Sequence, residues 1–121
     1  MKLRVEAEVK PTEDPEKVLK ALKNLFPSLV FSQSGRILAG ESDDLSSLET
    51  VKELLRRQAI RDAARSHLMS RIFENRLEFM LNKQVAFCGK VNFTDGESPL
   101  GPIKVCIESD NPREIVQYLT A

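Results

Sequence analysis

Hydrophobic and polar residues open the chain in strict alternation. Leu3, Val5, Ala7 and Val9 are interleaved with Lys2, Arg4, Glu6, Glu8 and Lys10. A period of two predicts a strand with one buried and one wet face. Pro11 ends it. Asp14 and Pro15 predict a helix start, with Asp14 as cap and Pro15 in the first turn, where a missing N–H costs nothing. Val18, Leu19, Leu22, Leu25 and Phe26 form its apolar stripe, and Pro27 follows. Leu29–Phe31 and Ile37–Ala39 flank Ser34-Gly35 and read as a hairpin.

A polar loop at Gly40–Asp44 leads into helical spacing from about Leu45 to Glu74. Its apolar positions are Leu45, Leu48, Val51, Leu55, Ala59, Ala63, Leu68, Ile72 and Phe73. The phase slips at Gln58-Ala59-Ile60, so the region reads as one long helix or as two joined by a bend. Alternation returns at Arg76–Leu81, predicting another strand with Leu77, Phe79 and Leu81 inward. Asn82 is placed to cap a short helical turn toward Cys88, and Val91-Asn92-Phe93 is expected to resume the sheet. Thr94–Pro102 is a loop by its glycines and prolines. Ile103, Val105 and Ile107 mark a last strand. Asn111-Pro112, with Glu114 three residues after Asn111, has capping-box spacing for a final helix. Strands at both ends around a helical middle predict one α+β domain over residues 1–121. Its architecture is a two-layer sandwich, helices packed on one face of a mixed or antiparallel sheet.

A chain of 121 residues buries enough surface to form a core without disulfide or metal staples. Eighteen basic and eighteen acidic residues cancel, so no global field draws polyanions and a nucleic-acid surface must come from local segregation of charge. Cys88 and Cys106 fit no zinc spacing, and the apolar run Val85–Cys88 suggests that the Cys88 thiol is buried. The single histidine, His67, reads as a surface helix residue, without partners for a triad or a metal site. The expectation is therefore no enzyme, no metal and no cofactor. The alternating start is unlike a signal peptide, and no apolar stretch approaches the ~20 residues that span a bilayer. The protein is expected to be cytoplasmic, with no membrane partner.

Charge is segregated in the middle of the chain. From Arg56 to Arg76 there are six arginines against Asp62 and Glu74, whereas Asp43–Leu55 is acidic. On a continuous helix Arg57, Arg61 and Arg65 share one face, and the planar guanidinium fork suits phosphate. The competing account pairs Glu53 with Arg57 and Asp62 with Arg65 as an ordinary solvated face. A second polar set, Lys83, Gln84, Lys90 and Asn92, surrounds Phe87 and Phe93, a combination suited to phosphate contact and base stacking if those rings are not core.

Three runs in the C-terminal half, Leu81–Phe87, Gly89–Phe93 and Ser98–Ile103, resemble the signature of a small archaeal family of uncharacterised proteins. Leu55–Ile60 with Asp62–Arg65 resembles that family's central helical motif. The resemblance covers essentially the whole chain. It implies a fold similar to large-subunit ribosomal protein five and a predicted RNA-binding role, with kinship to a group proposed as exosome-associated. No catalytic residues are assigned in that family. The reading that follows is an RNA-binding module acting through phosphate and shape, with Arg57, Arg61, Arg65, Lys83, Gln84, Lys90 and Asn92 as its contacts. The alternative is architectural use of these polar residues, with the exposed sheet serving a homodimer or a protein partner.

Overall fold

The opening alternation forms β1 (Lys2–Glu8), a central strand of a six-stranded sheet. The computed structural model describes residues 1–96 and 99–121. After β1 come α1 (Pro15–Leu25), β2 (Ser32–Ser34), β3 (Ile37–Ser42), a 3-10 turn at Leu45–Leu48, α2 (Glu49–Arg57) and α3 (Arg61–Met69). The chain continues through β4 (Ile72–Phe73), β5 (Arg76–Asn82), α4 (Lys83–Phe87), β6 (Pro102–Glu108) and α5 (Pro112–Leu119). The strand order is β2-β3-β1-β6-β5-β4, antiparallel at every pairing.

Register explains the two layers. Val5 faces Gly40 on one side and Val105 on the other, and Val105 faces Phe79. These residues point inward, where they join the buried stripes of the helices (Val18, Leu22 and Leu25 of α1; Val51 and Leu55 of α2; Ile115 and Val116 of α5) in one apolar cluster. At Gly40 an added Cβ would lie 3.0 Å from the Phe31 ring, so glycine lets that ring close the core over β3. On the opposite face lie Arg4, Glu6, Arg76, Glu78, Lys104 and Glu108, uncovered by any helix. This is the α+β sandwich that the patterning predicts.

The helix starts follow their caps. Asp14 accepts from the Glu16 backbone N–H at 2.9 Å, and Asn82 accepts from that of Val85 at 2.9 Å. Asn111 makes no side-chain cap, and the Ser109 hydroxyl accepts from its N–H at 3.2 Å instead. The capping box expected there does not form.

Other expectations are corrected. The helical spacing over Leu45–Glu74 resolves into the 3-10 turn, two helices and β4. α2 stops because Ala59 takes a left-handed conformation (φ 57°). The Ala59 N–H then donates to the Arg56 carbonyl and the Ile60 N–H to that of Leu55, the paired bonds that close a helix C-terminus. The strand expected at Leu29–Phe31 shifts to Ser32–Ser34, an edge strand paired through its backbone alone and so without an apolar signature. Val91–Phe93 contributes only an isolated bridge between Leu81 and Phe93. Cys88 is exposed because it follows α4 at its wet end. His67 is partly covered, its ring centroid 4.8 Å from that of Phe93. Residues 97–98 of the expected loop, including Ser98 of the family-like run, lie outside the described residues.

Candidate nucleic-acid interface

The break at Ala59 places Arg57 at the end of α2 and Arg61 at the start of α3, so the three arginines do not form one helical stripe. Arg57 Nε donates to Glu53 at 3.1 Å, and Arg56 grips the same carboxylate. These guanidinium groups, Arg56 first, hold the Glu53 carboxyl below its ordinary range. Arg57 still leaves 68% of its side chain exposed. Arg61 is exposed and donates to the Ala121 carbonyl at 3.1 Å. Arg65 does not pair with Asp62. Its fork donates to the Thr120 hydroxyl at 3.0 Å and the Thr120 carbonyl at 2.8 Å, and the Thr120 hydroxyl donates in turn to Val116 at 2.7 Å. Arg65 therefore holds the end of α5.

The second polar set divides in the same way. Lys83 is only 4% exposed. Its three ammonium protons meet the Glu8 carbonyl at 2.6 Å, the Leu100 carbonyl at 2.6 Å and the Glu13 carboxylate at 2.9 Å. An ammonium offers three donors, so none is left for a phosphate, and Lys83 is corrected from contact residue to buried tie. Gln84, Lys90 and Asn92 are exposed.

Gln58, absent from the sequence-level candidates, joins the two regions. Its carboxamide donates to the Val91 carbonyl and accepts from the Val91 N–H, both at 2.8 Å. The flanking residues Lys90 and Asn92 are thereby fixed beside the α2–α3 corner that carries Arg57 and Arg61. Nothing in the residue pattern distinguishes this glutamine from a solvated one.

The rings chosen as stacking candidates are mostly engaged. Phe93 packs on His67 and edge-on to Phe79 at 5.9 Å, while Phe87 lies under the Lys20 ammonium at 4.9 Å. His67 Nε2 is buried without a hydrogen-bond partner among the described residues. Burial, and secondly the Arg71 guanidinium, push the His67 pKa down. Arg71 itself is paired with Asp95 at 2.6 Å. The most exposed aromatic ring among the described residues is that of Phe73, 75% exposed against 36% for Phe87. The place of Phe73 in the apolar series predicts a helix stripe, but it lies in β4.

The open sheet face is charge-compensated. Arg4 reaches Glu41 at 3.0 Å, Arg76 reaches Glu108 at 3.1 Å and Glu78 at 3.4 Å. Burial raises the Cys106 pKa there, and the adjacent Glu78 carboxylate adds to it, so the thiol stays protonated at neutral pH. Among the described residues no group of three or more His, Cys, Asp or Glu is placed to hold a metal, and no helix is long and apolar enough to cross a membrane.

Comparison with known proteins adds a family. A family model described as RNA binding matches residues 2–109. The chain is 46% identical over 125 residues to a UPF0201 protein of Sulfurisphaera tokodaii, covering 98% of this chain and 86% of the relative. It is 48% identical over 122 residues to that of Sulfolobus acidocaldarius, covering 96% and 84%. The crystal structure of the UPF0201 protein from Methanococcus jannaschii is similar with a TM-score of 0.86 at 36% identity, covering 100% of both chains.

Proposed function

The chain belongs to the archaeal UPF0201 family, whose model carries the description RNA binding, and from that premise we propose that it is an RNA-binding module rather than an enzyme. It grips backbone phosphates at the α2–α3 corner through Arg57, Arg61 and Lys90, with Asn92 as a neutral hydrogen-bonding neighbour; Gln84 lies apart, on the α1 side with Asp14 and Lys17. The observation that carries this reading is the reciprocal Gln58–Val91 pair, which fixes Lys90 beside the two arginines although 33 residues separate Gln58 from Val91. Cations held by separate elements on one corner suit a polyanion, and Lys90 forms no ion pair among the described residues. Arg65 and Lys83 serve the fold.

A labelled RNA titrated with the protein at two salt concentrations tests the reading. Contact with phosphates releases counterions, so affinity falls steeply as salt rises. Absence of binding at low salt contradicts it. A protein partner or a second copy on the open sheet is the other reading, favoured by Val30, 82% exposed just before edge strand β2. A light-scattering mass above that of the monomer in the absence of RNA would support it.

A further inference from the structure

We propose that the groove on the open sheet face receives one unstacked nucleobase of a single-stranded RNA, stacked on Phe73; this rests on the RNA-binding reading above. The groove has a volume of about 560 Å³, within the range of sites that enclose small planar ligands. Phe73 pairs with Arg76 across β4–β5, which directs both side chains to the open face. The two-residue turn Glu74-Asn75 holds this presentation, with Glu74 left-handed (φ 56°) and the Asn75 carbonyl accepting from the Ser109 N–H at 2.9 Å. The exposed ring is thus fixed by strand pairing rather than carried on a loose loop.

The rest of the groove fits a base better than a phosphate. Met80 and Cys106 supply a low-polarity floor. Glu6 and Glu78 stand beside them, since Met80 pairs with Lys104, Lys104 with Glu6, and Glu78 with Cys106 in the sheet register. The lining cations Arg4 and Arg71 are already paired, with Glu41 and Asp95, and the two carboxylates accept hydrogen bonds from the amino groups of adenine, cytosine or guanine. The Lys104 ammonium makes no hydrogen bond or ion pair among the described residues and offers a donor to a base carbonyl. With a single exposed ring, the face stacks one base, fewer than the two or three taken by sheets with several aromatics.

The groove is also connected to the phosphate-binding corner. α3 begins at Arg61 and ends at Met69, a rise of about 13 Å, and the next two residues, Ser70 and Arg71, line the groove. A strand held at Arg57 and Arg61 therefore reaches Phe73 within a few nucleotides.

The chain has no tryptophan, so Phe73→Trp places a unique indole in the groove. This variant is titrated with single-stranded oligoadenylate and with an abasic oligoribonucleotide of equal length. In parallel, wild type and Phe73→Ala are compared for affinity, with circular dichroism to confirm folding. The expected result is indole quenching by oligoadenylate alone and roughly tenfold weaker binding by Phe73→Ala, the size of one base–aromatic stack. Equal binding of both oligomers by wild type and Phe73→Ala overturns the base site and leaves the phosphate reading standing. Failure of wild type to bind any RNA at low salt overturns both. Quenching caused by self-association without RNA assigns the groove to a second copy and overturns the proposal.

Discussion

Gln58 and Val91 are joined as two strands of a sheet would be, one carboxamide replacing a peptide group, with a 2.8 Å bond in each direction. This pair fixes the Gly89–Phe93 segment, which has only one bridge of its own to the sheet. Gln58→Ala leaves a buried N–H and C=O of Val91 without their partners, a loss of about 1–3 kcal/mol. Urea unfolding is expected to show destabilisation in that range. Hydrogen exchange at the Val91 amide is expected to rise more than at β5 amides, and RNA affinity to fall although no charge has changed.

Lys83 predicts a different outcome. Truncating its ammonium leaves the Glu13 carboxylate only the Lys10 N–H as donor and deprives two carbonyls of theirs, in a site where Lys83 is 4% and Glu13 11% exposed. Breaking a buried pair from one side costs roughly 3–5 kcal/mol. Lys83→Met should lose stability on that scale in chemical denaturation. Because Lys83 also binds the Leu100 carbonyl, exchange should accelerate in the loop before β6. Lys83→Met/Glu13→Leu, which removes both charges, should recover part of the loss.

His67 makes stability depend on pH. Its folded-state pKa lies below the ordinary value near 6.5, first because of burial and then because of Arg71, with Asp95 opposing. A depressed folded-state pKa means that the unfolded chain takes up the proton first. The contribution is therefore complete above about pH 6.5 and is lost as pH falls toward the folded-state pKa. His67→Phe keeps a ring against Phe93 and removes the titration. Thermal melts between pH 7 and 5 should show a smaller decline for His67→Phe than for wild type, and parallel declines would refute the assignment.

Much of the fold was legible in the residues because the signals are local. Strict alternation locates β1, β5 and β6, and Asp14 and Asn82 mark helix starts by the oxygen they present to a backbone N–H. The misplaced elements lack such signals. β2 is three serine and glutamine residues paired by backbone, and Ala59 ends α2 in a left-handed conformation that glycine would have advertised. The interface was less legible, since an arginine's availability depends on distant partners. Arg65 and Lys83 look like free cations in sequence, yet Thr120, Glu13 and two carbonyls occupy them from 17 to 75 residues away. Gln58 and Phe73 went unnoticed for the same reason, because their roles arise from what the fold covers and what it leaves open.

The salt dependence of RNA binding, measured for wild type beside the Arg57→Gln/Arg61→Gln/Lys90→Gln variant, tests the central claim most directly. Three phosphate contacts on a single strand give a slope of log affinity against log salt of about −2, at roughly 0.7 per contact. The account predicts that slope for wild type. For the variant, with unfolding midpoint near that of wild type, it predicts a slope near zero and much weaker binding at low salt. Equal slopes and affinities in the two proteins would contradict it.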